Sequence, residues 1–331
     1  MPPGLTKYMA NQIKVSAVVV TWNSEGDITT CLESLAKQTH PLDTVIVIDN
    51  ASRDHTCALI LEHFPQVKLI QEDKNLGFAA ANNIGIGMTD SQWILTLNPD
   101  AWLAENWLET HLNFVKGKRR IGMVGGMLYR AQGEKAESTE SQIIDSTGIE
   151  IFSSRRVRDR GYEEIDRGQN SSDERVFGIC AAACLHRREM LEDALIDGEV
   201  FAESFFSYYE DADLAWRAWR RGWEAWFVPS AIGWHRRGGS KVGSRFSRVL
   251  THRNRYWMIA RNEPRWKMLF GGFSFYWHEV LIFLRMLRYP YLFGTAVRTF
   301  LGVGKAARQR KVLEDANATP PPFKRGSGFR K

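Results

Sequence analysis

Short apolar runs alternate with helical patterns over the first 100 residues, and this alternation constrains the fold more than any other feature of the sequence. The runs are rich in β-branched residues and end at polar positions, which is typical of buried strands. Strands that alternate with helices form βαβ units, so we predict a Rossmann-like α/β fold with a mostly parallel sheet flanked by helices. The predicted strands are residues 15–21, 44–49, 67–71 and 93–97, and the predicted helices are about 25–37, 53–64 and 78–88.

Polar residues follow each of these four predicted strands. Ligands of open parallel α/β sheets bind at the carboxyl ends of the strands, so we expect one binding site there. No G-x-G-x-x-G motif follows the first strand, and a nicotinamide-dependent enzyme is therefore not expected. The polar segments are residues 21–23, 49–52, 75–78 and 98–100.

The segment Asn98-Pro99-Asp100 suits a divalent cation. A carboxylate that projects from a strand end can hold Mg²⁺ or Mn²⁺ against a diphosphate, because hard cations prefer oxygen ligands. Asn, Pro and Asp are also common turn formers, so a plain turn stays open as the alternative.

A second acidic segment opens a predicted helix, with Glu210, Asp211 and Asp213 in its first turn. The helix dipole alone favours acidic residues at this position. Three carboxylates in four positions exceed what capping needs, and their mutual repulsion is expected to raise the pKa of at least one of them. A raised pKa suits a general base. Asp213 is expected to form an ordinary surface ion pair with Arg217 one turn later.

His235 follows an apolar run and precedes Arg236 and Arg237 in a glycine-containing basic segment. A histidine among aromatic residues is commonly a hydrogen-bonded core residue, whereas the basic segment after it suits phosphate. Cys180 and Cys184 lack a second ligand pair at zinc-site spacing, so we expect them to be buried small residues. The charged segment 155–173 is expected to be an exposed, mobile loop.

The last part of the chain is strongly basic. Residues 236–331 contain 21 lysines and arginines against four acidic residues, so the rest of the chain is net acidic although the total charge is +6. This split points to an anionic partner, either nucleic acid or an anionic membrane surface. No nucleic-acid-binding motif accompanies the basic region, so nucleic acid is not the expected partner.

Residues 268–304 are aromatic and apolar, but charged residues interrupt them too often for a membrane span. Basic, aromatic amphipathic helices lie in the membrane interface. A helix that caps the catalytic domain or forms a homodimer is the alternative. The apolar residues that share one predicted helical face are Trp277, Val280, Leu281, Leu284 and Leu287.

Four parts are expected along the chain. Residues 1–12 form an N-terminal extension, 13–260 the catalytic domain, 261–318 an amphipathic, membrane-associating helical region and 319–331 a disordered basic tail. The four cysteines are too few for a disulfide scaffold, and no signal peptide is recognised. We therefore expect a cytoplasmic protein that is peripheral on the inner face of the plasma membrane.

Six motifs occur in the order seen in the inverting glycosyltransferases of family 2, which have the GT-A fold. The chain resembles the bacterial rhamnosyltransferases of this family over about residues 13–260, with the galactofuranosyltransferases next. The motifs are VVVTWNS, VIDNASRD, NLGFAAANNIGI, WILTLNPDA, FFSYYEDADLAWRAWRRGW and GWHRRGGS.

This resemblance implies a metal-dependent transfer from a nucleotide sugar. Asp211 would be the catalytic base, and Asp100 and His235 would hold Mg²⁺ or Mn²⁺, although Asn98 replaces the first carboxylate of the usual Asp-x-Asp motif. Supporting or acceptor-binding residues would be Glu210, Asp213, Arg236 and Arg237. The nucleotide-sugar site would contain Thr21, Asn23, Asp49, Asn50, Asn75, Gly77 and Asn98.

The implied reaction is a single displacement that inverts the anomeric carbon. Asp211 takes the proton of an acceptor hydroxyl while the metal offsets charge on the leaving diphosphate. The resemblance favours dTDP-rhamnose as donor and a polyprenyl-diphosphate-linked saccharide as acceptor, in cell-surface polysaccharide synthesis. A UDP-galactofuranose or UDP-hexose donor is the alternative, and a non-catalytic sugar-binding or nucleic-acid-binding protein is the alternative from another class.

Overall fold

The computed structural model describes residues 13–131, 142–237, 244–263, 272–310 and 321–324. The expected N-terminal extension, residues 1–12, lies outside the described residues, as does most of the expected basic tail. Gly238, Gly239 and Ser240 of the GWHRRGGS motif also lie outside them, whereas Gly233, Arg236 and Arg237 are described.

Strands and helices alternate in the N-terminal region as the sequence predicts. The first, second and fourth strands have the predicted bounds, whereas the first two helices begin three residues later than predicted because a turn precedes each of them. The elements are β1 (Val15–Thr21), α1 (Ile28–Ala36), β2 (Thr44–Asp49), α2 (Thr56–His63), β3 (Lys68–Gln71), α3 (Gly77–Gly87) and β4 (Trp93–Leu97).

Eight further strands and six further α-helices follow in the described part of the chain. The strands are β5 (Ala101–Leu103), β6 (Ile121–Arg130), β7 (Ile144–Ser146), β8 (Ile149–Ile151), β9 (Val157–Asp159), β10 (Glu174–Val176), β11 (Ala183–Arg187) and β12 (Glu224–His235). The helices are α4 (Trp107–Val115), α5 (Arg188–Asp193), α6 (Glu210–Arg220), α7 (Ser244–Asn262), α8 (Gly272–Arg288) and α9 (Tyr291–Gln309).

The main sheet has ten strands, eight of them in the order β10-β12-β6-β11-β4-β1-β2-β3. Strands β4, β1, β2 and β3 are parallel, and Thr21 lies opposite Asp49 at their carboxyl ends. Strand β5 pairs antiparallel with β12, so that Ala101 lies opposite His235. This pairing brings Asp100 beside His235 at the same edge of the sheet.

Helices cover both faces of the sheet. Alternate residues of β1 point to opposite faces, so Val19 packs with α1, α2 and α4, while Val18 packs with α3, α5, α6 and α7. Both valines are fully buried. The resulting three-layer arrangement leaves the strand ends open for a ligand.

The expectation of an exposed loop at residues 155–173 is wrong for its first part. Arg155 and Arg160 are buried, because Arg155 pairs with Glu263 at 2.7 Å and Arg160 pairs with Glu174. The short strand β9 also lies in this segment. Most residues of 163–173 are exposed, as expected.

The C-terminal helices pack on each other and, through α7, on α6. The indole nitrogen of Trp257 in α7 donates a hydrogen bond of 3.0 Å to the carbonyl of Thr299 in α9. The expected domain boundary at residue 260 falls two residues before the end of α7. Across the described residues, no helix is both long and apolar enough to pass through a bilayer.

Residues 321–324 lie against β8 and α6, which differs from the disorder expected for the tail. The amide of Lys324 donates a hydrogen bond of 2.9 Å to the carbonyl of Ile151, and the Phe323 ring lies 5.7 Å from the ring of Trp216. Because the phenylalanine has an aromatic partner, this part of the tail is held in place.

Candidate active site

A cavity of about 610 Å³ opens at the carboxyl ends of β1, β2 and β4. It brings together residues that are far apart in the sequence, as the strand-end argument predicts. The predicted site residues that line it are Thr21, Asn50, Asn75, Gly77, Asn98, Asp100, Glu210, Asp211, His235 and Arg237. The predicted residues that do not line it are Asn23, Asp49, Asp213 and Arg236.

Asparagine side chains shape one end of this cavity. The Asn50 carboxamide accepts a hydrogen bond from the Leu76 amide and donates one to the Gly77 carbonyl. Asn75 accepts a hydrogen bond of 2.9 Å from the Gly77 amide. Gly77 has a φ of +86°, and a Cβ atom there would lie 2.5 Å from the carbonyl oxygen of Phe206. The turn into α3 therefore requires glycine.

Thr21 differs from these residues because its buried hydroxyl has no hydrogen-bond partner in the described part of the chain. Buried hydroxyl groups normally have a partner. Since Thr21 lines the cavity, a bound ligand is the natural partner for this group.

Asn23 and Asp49 hold the loop behind the cavity, which differs from the predicted nucleotide contacts. The Asn23 side-chain oxygen accepts a hydrogen bond of 2.8 Å from the Arg53 amide. The two carboxylate oxygens of Asp49 accept hydrogen bonds from the amide and the hydroxyl of Ser52. Both side chains thus accept hydrogen bonds from residues of the loop between β2 and α2, and neither lines the cavity.

Asp100 and His235 form the pair expected for a metal site. The Nε2 atom of His235 lies 3.2 Å from Oδ1 of Asp100, and its Nδ1 atom lies 2.9 Å from Oδ2 of Asp145. Burial disfavours the imidazolium and lowers the pKa of His235. The hydrogen bonds to Asp100 and Asp145 have the larger combined effect and raise this pKa to about 9. The histidine is therefore fixed at both ring nitrogens.

The donor set of this pair fits Mg²⁺ or Mn²⁺ once an ion has displaced the Nε2 proton of His235, because only a neutral imidazole nitrogen can ligate a metal. One carboxylate and one imidazole nitrogen face each other, and Asp145 holds the second ring nitrogen as the orienting carboxylate of a ligating histidine does. Within the described ranges no group of three or more His, Cys, Asp or Glu side chains is arranged around an ion position. The diphosphate of a ligand and water would therefore supply the other ligands.

Sequence reasoning missed Asp145 and Asp159. Arg237 pairs with both carboxylates, and its guanidinium also lies 4.6 Å from the Tyr162 ring. Asp145 is fully buried and lies in the apolar run IIDSTGI, and an acidic residue in such a run is the signal that could have identified it. Asp159 sits in the short strand β9 and offers no comparable signal.

Glu210 and Asp211 open α6 at the wall of the cavity. Burial raises the pKa of Asp211 to about 6, and the charge of Asp159 adds to this effect. Burial and the charge of Asp211 raise the pKa of Glu210 well above its usual range. The Oε2 atom of Glu210 has no hydrogen-bond partner among the described residues. The expected raised pKa is therefore present, with burial as its main cause.

Asp213 is not the surface residue that we predicted. It is fully buried and accepts hydrogen bonds from Arg217 at 2.9 Å, Arg261 at 3.1 Å and Asn262 at 2.8 Å. The sequence pattern identified the pair with Arg217 but not the two partners from α7. Asp213 therefore stabilises the packing of α7 on α6, and it does not line the cavity.

Arg236, predicted as a supporting or acceptor-binding residue, does not line the cavity. Its guanidinium forms an ion pair of 2.6 Å with Asp27 just before α1. Asp27 is buried with a raised pKa, because desolvation outweighs the nearby arginine charge. The arginine is therefore engaged with the N-terminal helix.

The loop that precedes α6 has a strained backbone. Tyr208 and Tyr209 both have a φ of +72°, a conformation that costs free energy for residues other than glycine. The buried Asn254 carboxamide donates hydrogen bonds to the carbonyls of Phe205, Ser207 and Tyr208 at 2.8–2.9 Å. Asn254 thus holds the loop that positions Glu210 and Asp211, a contact that sequence reasoning missed.

The arrangement of the sheet, with its ligand cavity at the strand ends, is the GT-A fold of glycosyltransferases. The family model described as glycosyl transferase family 2 matches residues 16–195, and the chain belongs to this family.

Two curated relatives illustrate the similarity. An N-acetylglucosaminyl-diphospho-decaprenol L-rhamnosyltransferase of Mycobacterium tuberculosis is 24% identical over 265 residues, which cover 75% of this chain and 85% of the relative. The succinoglycan biosynthesis protein ExoO of Rhizobium meliloti is 36% identical over 100 residues, which cover 30% of this chain and 28% of the relative.

Solved structures share the fold. GalNAc-T7, crystallised with UDP, GalNAc and Mn²⁺, superposes with a TM-score of 0.64 at 16% identity, covering 94% of this chain. This chain spans 55% of that longer protein. S. aureus TarS (residues 1–349) in complex with UDP-GlcNAc superposes with a TM-score of 0.51 at 19% identity, covering 76% of this chain and 68% of TarS.

Proposed function

We propose that the protein is a metal-dependent, inverting glycosyltransferase that moves L-rhamnose from dTDP-rhamnose to a hydroxyl of a polyprenyl-diphosphate-linked saccharide. The observation that carries the reaction type is that one cavity contains both the Asp100–His235 pair and the raised-pKa carboxylate of Asp211. The activity of the mycobacterial relative, which its name gives as rhamnosyl transfer to a lipid-diphosphate-linked sugar, supports this choice of donor and acceptor.

Asp211 is the base of this reaction. Its pKa of about 6 keeps it ionised at neutral pH and makes it more basic than an ordinary aspartate. The amides of Ala212 and Ala181 donate to its two oxygens at 2.7 and 3.4 Å, which orients the carboxylate at the start of α6. Asp211 takes the proton of the acceptor hydroxyl as that oxygen attacks the anomeric carbon.

The leaving nucleoside diphosphate is bound at the strand ends that line the same cavity. Thr21, Asn50 and Asn75 border the nucleoside, since they surround the strand ends of β1 and β2. Asp100 and His235 would hold the divalent cation, which would offset the negative charge that develops on the leaving diphosphate. Arg237 remains paired with Asp145 and Asp159, so it stabilises the wall of the cavity and offsets the negative charge of these two carboxylates.

The enzyme works on the inner face of the plasma membrane in this proposal. Helix α8 exposes a continuous apolar stripe, and α9 exposes a second one beside it. Arginines in and next to these helices complement an anionic bilayer, which is the occupant that we assign to this face. The exposed apolar residues are Phe273, Tyr276, Trp277, Val280, Phe283, Leu284 and Leu287 in α8 and Phe293, Val297 and Leu301 in α9.

A donor panel tests this function. The full chain is incubated with Mn²⁺, a lipid-linked N-acetylglucosaminyl diphosphate and each of dTDP-rhamnose, UDP-galactofuranose, UDP-GlcNAc and UDP-glucose. Nucleotide release and the glycosylated lipid are measured together. The proposal predicts product with dTDP-rhamnose that disappears in EDTA, and product with another donor alone would contradict the assignment of rhamnose.

A further inference from the structure

A second cavity of about 610 Å³ lies beside the first, between β9, α7 and α8. Val157, Tyr209 and Thr251 line both cavities, so the two are neighbours separated by these side chains. Tyr209 directly precedes Glu210 and Asp211. Nothing in the reaction described above uses this second cavity.

The lining of the second cavity is strongly cationic. Four arginines and two histidines contribute to it, and within the described part of the chain no carboxylate does. Glu279, which does not line the cavity, forms an ion pair of 2.9 Å with Arg255 and offsets one of the four arginine charges. The cationic lining residues are Arg156, Arg248, Arg255 and Arg285, and the two histidines, His252 and His278, have lowered pKa values that keep them neutral.

Arg255 carries donors that the protein itself does not satisfy. It is 3% exposed, and its Nε and Nη1 atoms have no hydrogen-bond partner among the described residues. Burial and the charges of Arg255 and Arg156 lower the pKa of His278 to about 3. Arg255 and Arg285 likewise contribute to the lowered pKa of Arg156, after burial. The cavity therefore has a positive potential and free donors, which is the environment that an oligoanion requires.

One wall of the same cavity is apolar. Leu281 and Ile282 of α8 and Leu292 of α9 line it. The exposed apolar stripes described above belong to the same two helices. An alkyl chain attached to an anion in this cavity could therefore leave along apolar side chains toward the membrane-facing surface.

We infer that the second cavity binds the diphosphate of the lipid-linked acceptor, with its arginines, while the prenyl chain leaves between α8 and α9. This inference rests on the proposed function and specifies how its acceptor is held. Because Tyr209 borders both cavities, a sugar joined to that diphosphate would extend toward Asp211. The strained 206–209 loop and Asn254 then form the partition between acceptor diphosphate and reacting hydroxyl.

Binding of farnesyl diphosphate to the full chain in EDTA tests this inference without any sugar transfer. Removing the metal suppresses diphosphate binding by the Asp100–His235 pair, whereas arginine contacts need no metal. Arg156→Gln and Arg285→Gln are expected to weaken binding at least about tenfold, since each removes a charged hydrogen-bond donor. Arg288→Gln is the matched control, because Arg288 lies on the same helix outside the cavity. The control is expected to stay within about twofold of wild type.

Other ligands distinguish the source of the diphosphate. Inorganic pyrophosphate and farnesol are both expected to bind at least about tenfold more weakly than farnesyl diphosphate, because each lacks one half of the recognised group. If pyrophosphate bound as tightly as farnesyl diphosphate, the lipid part of the inference would be contradicted. If Arg288→Gln weakened binding as much as Arg156→Gln and Arg285→Gln, the ligand would be attracted by overall charge, and the proposed site would be overturned. Vesicles of phosphatidylglycerol that compete as well as farnesyl diphosphate would also overturn it.

Kinetics separate this inference from the proposed function. With a lipid-linked acceptor, Arg156→Gln is expected to raise the acceptor KM while the donor KM stays unchanged. An equal rise in the donor KM would place the arginines in the donor site and overturn the inference. If no donor supports transfer but farnesyl diphosphate binds in an arginine-dependent way, the proposed reaction fails and the diphosphate site stands.

Discussion

The Nε2 atom of His235 lies 3.2 Å from Oδ1 of Asp100, although 135 residues separate them in the sequence. The antiparallel pairing of β5 with β12 produces this contact, because Ala101 is the register partner of His235. Asp145 holds the other ring nitrogen at 2.9 Å. The Nε2 atom of His235 is thus oriented toward Asp100 by the strand pairing and by the buried carboxylate of Asp145.

Asp100→Asn is expected to lose metal-dependent donor binding and to keep its fold. The substitution keeps the size of the side chain but removes the charged oxygen ligand. His235→Ala should show a weaker defect, since Asp100 and the diphosphate would still hold the ion. Titration calorimetry with the active nucleotide sugar, with and without Mn²⁺, measures the effect. The metal site would be contradicted if both variants bound the donor as tightly as the wild type and if EDTA left the affinity of the wild type unchanged.

The acid limb of the rate profile should report the ionisation of Asp211. A base must be deprotonated, so kcat/KM is expected to rise with pH through about 6 and then level off, because burial raises the pKa of Asp211 to about that value. Steady-state rates between pH 5 and pH 8 at saturating Mn²⁺ measure the profile. A profile that is flat down to pH 5, where most Asp211 would be protonated, would contradict this ionisation.

Asp213→Ala is expected to destabilise the protein by about 3–5 kcal/mol, because it leaves Arg217 and Arg261 buried without their shared carboxylate. Urea unfolding followed by tryptophan fluorescence measures the loss. Asp90→Asn is the control, since Asp90 is exposed. A loss below about 1 kcal/mol would mean that Asp213 behaves as the surface pair predicted from the sequence.

Replacing Trp277 and Leu284 by serine should weaken binding to phosphatidylglycerol vesicles by about tenfold or more, because both side chains are exposed on the apolar stripe of α8. Leu61→Ser is the matched control, since Leu61 is 62% exposed on α2, far along the chain from this stripe. Vesicle co-sedimentation at two salt concentrations measures the effect. Loss of a dimer in analytical ultracentrifugation with unchanged vesicle binding would show that a second copy covers the stripe.

The sequence predicted the sheet and much of the cavity because these depend on local patterns. The bounds of β1, β2 and β4 follow from runs of β-branched residues, and the strand-end rule places Asp100 at the site. The partners of Asp145 and Asn254 depend instead on how short strands and α7 pack in three dimensions. No periodicity in the sequence carries that information. The burial of Asp213 was missed for the same reason, since its partners come from α7.

The central claim is that Asp211 is the base of an inverting transfer, and Asp211→Asn tests it most directly. Burial raises the pKa of this carboxyl, so its ionised form is disfavoured in the fold, and the variant should unfold at or above the wild-type temperature at pH 7. Glu210→Gln is the matched comparison, because it is the adjacent cavity carboxylate.

The measurement is the single-turnover rate of sugar transfer together with donor affinity. The account predicts that Asp211→Asn keeps near-normal donor affinity while transfer falls by about 10²–10⁴-fold, the usual contribution of a general base. Glu210→Gln should lose less of its transfer rate than Asp211→Asn. Near wild-type transfer by Asp211→Asn, with a large loss in Glu210→Gln, would contradict the account.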